Sequence, residues 1–83
     1  MSRSENRETG GPAVSLNLAD TGKARIQKIL GNTIMQQRLN VMGLIPGMEV
    51  EIVSNRGGGP VIVSVYDTRL MLDSGMARKI WVS

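Results

Sequence analysis

The sequence contains no cysteine, no histidine and no phenylalanine, and its only aromatic residues are one tyrosine and one tryptophan. Without cysteine there is no disulfide, no thiolate nucleophile and no iron–sulfur cluster. Without histidine the common catalytic triads and imidazole metal sites are excluded as well. We therefore predict that the protein is not an enzyme and that it has no cofactor and no metal site.

Long apolar runs are also missing. No segment is long enough to cross a bilayer, and the first residues lack the apolar stretch of a signal peptide, so neither secretion nor membrane insertion is expected. The length of 83 residues allows one small domain. Its core has to be built from aliphatic residues and from the six methionines, which leaves little stability to spare.

Positive charge is in moderate excess, with ten Lys or Arg against seven Asp or Glu and a net charge of +3. The cationic residues are spread singly along the chain, and the adjacent pair is Arg78 and Lys79. Dispersed charge is typical of a solvated surface. The sequence pI near 10.0 nevertheless keeps a nucleic-acid-binding small barrel as the alternative interpretation.

Two regions differ in composition. Residues 1–13 are polar, glycine-containing and almost free of apolar side chains, which predicts a disordered tail, because nothing there offsets the entropy cost of ordering. Residues 14–83 are predicted to form one folded domain. Within it, Gly57-Gly58-Gly59 indicates a flexible loop, since no phosphate-binding spacing surrounds it.

The folded part is predicted to be mainly β. Alternation over residues 23–30 indicates a strand with Ala24 and Ile26 facing inward. A short helix then begins at Asn32 or Thr33, ends near Met42, and is terminated by Gly43 in a left-handed conformation. Pro46-Gly47 indicates a tight turn.

The remaining elements complete an antiparallel sheet. Strands are predicted over residues 48–54, 61–66 and 69–72, followed by a helical turn over 74–78 and a final strand over 79–82. Connections this short do not allow parallel crossovers, and closure removes sheet edges. The expected fold is a small barrel of about five antiparallel strands, with one helix after the first strand and a helical turn before the last.

One run of residues is similar to a known family. Residues 38–50, Arg-Leu-Asn-Val-Met-Gly-Leu-Ile-Pro-Gly-Met-Glu-Val, resemble the signature R-L-x-x-M-G-[LI]-x-P-G-x-x-[VI] of the ferrous iron transport protein A (FeoA) family. The resemblance extends from Leu16 to Val82. It departs from the family pattern at Gly57-Gly58-Gly59, where Leu-Gly-Asp is common, and at Asp73, where Arg is frequent.

This resemblance implies an SH3-like barrel, a cytoplasmic location in bacteria, and an accessory role that modulates the GTPase-bearing ferrous iron transporter FeoB. A similar domain ends the metal-dependent transcriptional repressors, so a related regulatory domain is also an alternative. The chain shows no helix-turn-helix or metal-binding dimerisation domain, which favours the transporter interpretation. A weak homo-oligomer is left open. Since the chain lacks histidine and cysteine, the resemblance does not make it an iron carrier.

A partner-binding surface is predicted near Leu44, which follows the helix and is expected at the rim of the barrel. Met42 or Met76 would enlarge this surface, and Arg38, Arg78 and Lys79 would surround it with positive charge. Methionine is frequent on adaptable binding surfaces. The alternative is that Leu44 packs into the end of the barrel and binds nothing.

Overall fold

The computed structural model describes residues 12–83. Six strands, a 3-10 turn and two helices follow one another along this part of the chain. In order they are β1 (Val14–Ser15), the 3-10 turn (Leu16–Leu18), β2 (Gly22–Ile29), α1 (Thr33–Val41), β3 (Glu49–Asn55), β4 (Val61–Val65), β5 (Thr68–Leu72), α2 (Ser74–Ala77) and β6 (Ile80–Val82). Among residues 12–83, no helix has the length and apolar character that a membrane span requires.

All strand pairs are antiparallel, and the sheet order is β1-β6-β2-β3-β4-β5. Strand β2 pairs with two strands, β3 along its first half and β6 along its second half. Its residues from Gly22 to Arg25 pair with β3, and those from Ile26 to Ile29 pair with β6, across a register shift that follows Ile26. An irregularity of this kind bends a strand and increases its twist. The sheet therefore curves around one core, as the predicted SH3-like barrel requires.

The core is aliphatic, as the composition indicated. Ala24 and Ile26 face inward, as predicted, and the inward positions of β4 alternate with half-buried ones. Met35, Met48 and Met76 pack against the core from its margin. The buried hydrophobic residues are Leu16, Ala24, Ile26, Ile29, Leu39, Leu44, Val50, Ile52, Val61, Val63, Val65, Leu72, Ala77, Ile80 and Val82.

The sixth strand, β1, was not predicted. It has two residues, which pair with Val82 and Trp81 of β6, and so short a strand has no periodicity that a sequence could display. Asn55 stabilises the adjoining 3-10 turn, because its Nδ2 donates to the carbonyls of Leu16, Asn17 and Ala19 at 3.3, 3.2 and 2.7 Å. The N-terminal segment is thus placed by residues far along the chain.

Other differences between prediction and structure concern element ends. Asn32 is the N-cap of α1, and its Oδ1 accepts from the Met35 amide at 2.8 Å. The observed strands and helices begin or end within one residue of the predicted bounds. The predicted disordered tail falls mainly on residues 1–11, outside the described part of the chain, so its disorder stays a prediction.

Candidate partner-binding surface

Helix α1 ends in a Schellman motif. Gly43 has φ +95°. Its amide donates to the carbonyl of Asn40 at 2.9 Å, and the Leu44 amide donates to the carbonyl of Leu39 at 2.9 Å. This pattern satisfies the last carbonyls of the helix and needs a residue that tolerates positive φ. The predicted left-handed Gly43 is therefore confirmed, and the chain leaves the helix in one fixed direction.

The prediction that Leu44 stands at the rim is wrong. Its side chain is 1% exposed and belongs to the same core cluster as Leu39. In a Schellman motif, the residue two positions after the helix cap commonly packs against the residue three positions before the cap. Leu44 and Leu39 occupy these two positions, so the helix end itself directs Leu44 inward. Its burial fits the alternative, in which it fills the end of the barrel.

The turn after Leu44 is held from two sides. Met48 donates its amide to the Ile45 carbonyl at 2.9 Å, and Gly47 has φ +93°, so Pro46-Gly47 forms a type II turn. Strand β2 fixes this turn: Arg25 Nη1 donates to the Gly47 carbonyl at 2.7 Å, and the Gly47 amide donates to the Ile26 carbonyl at 2.7 Å. The backbone from the end of α1 to β3 is therefore preorganised.

Tyr66 reaches the same end of α1 from the β4–β5 hairpin. A Cβ at Gly43 would lie 3.7 Å from Tyr66 Cε2 and 3.1 Å from Val65 Cγ1, so the glycine is in close contact with this hairpin. Tyr66 has φ +57°, a value that bulky side chains seldom adopt. The hairpin places an exposed aromatic ring beside the end of α1.

Together these elements expose a set of large apolar side chains, which we name the α1-end surface. Val41 is 87% exposed, Tyr66 is 78% exposed, and Met42 and Ile45 are also exposed. Val41, Met42 and Ile45 lie within two residues of Gly43 in the sequence. The Tyr66 ring lies against Gly43. The α1-end surface consists of Val41, Met42, Ile45 and Tyr66.

The residues predicted to bind a partner fall into two groups. Arg38 lies on the last turn of α1 and Met42 is the cap residue that follows it, both exposed. Met76, Arg78 and Lys79 lie in and just after α2, which follows the far end of β5 from the Tyr66 turn. A five-residue strand is about 16 Å long, so these two groups do not form one patch. Met76 is also half-buried against the core.

The arrangement of acidic residues in the described part of the chain bears on metal binding. Within residues 12–83, no group of three or more Asp, Glu, His or Cys is placed to hold a metal ion. Glu49 and Glu51 share the outer face of β3, where their cross-strand partners on β2 are Arg25 and Lys23. Basic neighbours at these positions favour ionic pairing across the sheet over metal binding.

We predict that the protein has no high-affinity iron site. Anaerobic calorimetric titration with ferrous iron should show only weak binding, because carboxylates here are few and face basic residues. A Glu49→Gln/Glu51→Gln variant should give the same titration as the unmodified protein. A stoichiometric site with sub-micromolar affinity would contradict this prediction.

Comparison with known proteins agrees with this architecture. The model of the FeoA domain family matches residues 14–83. The chain belongs to the FeoA domain family. No curated protein sequence matches this FeoA domain. The family assignment predicted from residues 38–50 is thus confirmed, and it links the protein to ferrous iron uptake.

Solved structures similar to this chain include FeoA proteins and metal-dependent transcriptional regulators. A crystal structure of the iron uptake regulatory protein FeoA has 32% identity and a TM-score of 0.77, covering 86% of this chain and 96% of that one. Iron(II) transport protein A from Clostridium thermocellum has 27% identity and a TM-score of 0.69, covering 84% and 40%. The metal-dependent transcriptional regulator MtsR has 18% identity and a TM-score of 0.74. The match covers 84% of this chain and 35% of the MtsR chain. The likeness to MtsR shows the fold alone.

Proposed function

We propose that this FeoA domain is a non-catalytic accessory module of bacterial ferrous iron uptake. It acts in the cytoplasm, where it binds the cytoplasmic part of the GTPase-bearing transporter FeoB through the α1-end surface and modulates it. The observation that carries this proposal is the group of exposed apolar side chains on a backbone held by the Schellman motif and the type II turn. Family membership supports the link to iron uptake.

A rigid apolar surface suits protein binding for two reasons. The backbone around Gly43 and Gly47 is already ordered by hydrogen bonds, so binding would cost little additional conformational entropy. Tyrosine is also enriched among the residues that dominate binding energies, since its rigid ring has both an apolar face and a polar hydroxyl. Tyr66 is therefore the proposed anchor of the α1-end surface, and Met42 adds adaptable apolar area.

The cationic residues have a different proposed role. Arg38 lies one turn before Met42 and is exposed, so it belongs to the rim of the α1-end surface. Rim charges mainly change association rates and their salt dependence. Arg78 and Lys79, at the other end of β5, would contribute only at longer range, and Met76 contributes through packing.

The main test is Tyr66→Ala. We expect this variant to bind the purified cytoplasmic part of FeoB at least about thirtyfold more weakly, as loss of a binding anchor does. Its melting temperature should change little, because the ring is mostly exposed and alanine at this position has the same positive φ. Isothermal titration calorimetry gives the affinity, and circular dichroism gives the melting temperature.

A matched control is Met71→Ala. Met71 is also a large exposed apolar residue, but it lies on β5 away from α1. Its replacement should change the affinity by less than about twofold. Equal losses for Tyr66→Ala and Met71→Ala, or no loss for either, would remove the α1-end surface from the proposal.

A further inference from the structure

A second exposed surface lies on the outer face of β2 and β6. Lys28 is the cross-strand partner of Trp81, and the Leu30 amide donates to the Lys79 carbonyl at 2.7 Å. Between these pairs, Ile29 and Ile80 are paired and buried. Because side chains alternate between the faces of a sheet, Lys28, Leu30, Lys79 and Trp81 lie on this face together, the first three exposed and Trp81 half-buried with its indole nitrogen covered. We name these four residues the β2–β6 patch.

The patch combines three kinds of side chain. Lys28 Nζ lies 5.4 Å from the centroid of the Trp81 ring, within the range of a cation–π interaction. Leu30 is a large apolar side chain that is 43% exposed, at a position that faces solvent. Lys79 adds a second ammonium group, and Arg78 precedes it. Amphipathic lysine and tryptophan beside an exposed aliphatic residue is a combination typical of surfaces at a membrane interface.

The positive charge of this region is not balanced by the sequence around it. Residues 21–48 contain four Lys or Arg and no Asp or Glu. Residues 74–83 contain two Lys or Arg and, again, no Asp or Glu. The β2–β6 patch is built from these two segments. Of these cations, Lys23 and Arg25 lie opposite Glu51 and Glu49 across the strands, whereas Lys28 of the patch lies opposite Trp81. A polyanionic partner would therefore be complementary to the patch.

We propose that the β2–β6 patch binds the surface of an anionic lipid bilayer, without crossing it. Headgroup phosphates would attract Lys28 and Lys79, while Leu30 and the exposed part of the Trp81 indole would contact the boundary between headgroups and acyl chains. A nucleic acid fits less well, because Lys28 already covers one face of the indole and an aliphatic side chain gives no base stacking. This proposal is independent of binding to FeoB.

The protein contains its own reporter, because Trp81 is its only tryptophan and lies in the patch. Vesicles of phosphatidylglycerol and phosphatidylcholine should shift Trp81 emission to shorter wavelength, and lipids brominated near the headgroup should quench it. Vesicles of phosphatidylcholine alone should do neither. The binding should weaken as salt rises, since it depends on exposed charges. No response to the anionic vesicles at low salt would overturn the proposal.

Two double variants with the same change in net charge separate the patch from general electrostatics. Lys28→Gln/Lys79→Gln should weaken vesicle co-sedimentation by about 25-fold, about fivefold per cation. Lys23→Gln/Arg69→Gln removes two cations from the outer face of β2 and β5 and should weaken it by less than about threefold. Melting curves establish that both variants are folded. Equal losses, or tighter binding to single-stranded DNA or polyglutamate than to the vesicles, would overturn the proposal.

Discussion

Leu44→Ala should lower the free energy of unfolding by about 2 to 5 kcal/mol, the range measured for leucine-to-alanine changes at buried sites. The side chain is 1% exposed and packs in one cluster with Leu39, so its removal leaves a cavity where α1 meets the barrel. A domain of this size has little stability in reserve, and a large fraction of it would be lost. Urea unfolding followed by Trp81 fluorescence measures the change.

The control for this prediction is Val41→Ala, three residues earlier and 87% exposed. It should change the free energy of unfolding by no more than about 0.5 kcal/mol, as surface substitutions usually do. If Leu44→Ala instead left stability within that limit and weakened binding to FeoB, Leu44 would be a partner contact and its observed packing would not matter to the fold.

Gly43→Val should be comparably destabilising, by about 2 to 5 kcal/mol, for two separate reasons. A non-glycine residue at φ +95° costs about 1 to 2 kcal/mol, and a β-branched side chain there is worse. In addition, the new Cβ would lie 3.1 Å from Val65 Cγ1, and forcing extra atoms into a packed site costs about 1 to 3 kcal/mol. The melting temperature should therefore fall by many degrees.

Alanine variants at two glycines resolve these contributions. Gly43 and Gly57 both have positive φ, at +95° and +76°, but nothing lies within 4 Å of a Cβ at Gly57. Gly57→Ala therefore measures the backbone contribution alone, and any further loss in Gly43→Ala measures the contact with Val65. Equal destabilisation of the two would show that the β4–β5 hairpin can move away from α1, and an unchanged melting temperature for Gly43→Val would mean that α1 ends elsewhere.

Much of the fold could be predicted because individual residues and short patterns in the sequence identify the ends of helices, the turns and the strands. Asn32 and Gly43 have the side chain and the backbone freedom that the two ends of α1 need, and Pro46-Gly47 has the residues of a type II turn. Alternation over residues 23–30 identified Ala24 and Ile26 as buried residues of β2. Strand β1 carried no such mark, because its two residues are a strand only through their pairing with β6.

The candidate site was harder to predict than the fold. Leu44 was predicted at the rim because it follows a helix cap and precedes a turn, yet the geometry of the cap turns it inward against Leu39. Tyr66 was missed because it is distant in sequence from α1 and occupies a hairpin turn. A single bulky residue in a two-residue turn was the available signal, and it indicates strain without indicating which surface the ring will join.

The sequence by itself determined the fold class, the aliphatic core, the helix and turn ends, and the family through residues 38–50, because each depends on the residues present or on neighbours a few positions apart. The tertiary structure alone decided which apolar residues are exposed together. Gly43 meets Tyr66, and Leu30 meets Lys79, only because strands and helices separated in sequence are brought into register. Binding surfaces are assembled across elements in this way, whereas caps, turns and periodicity act within them.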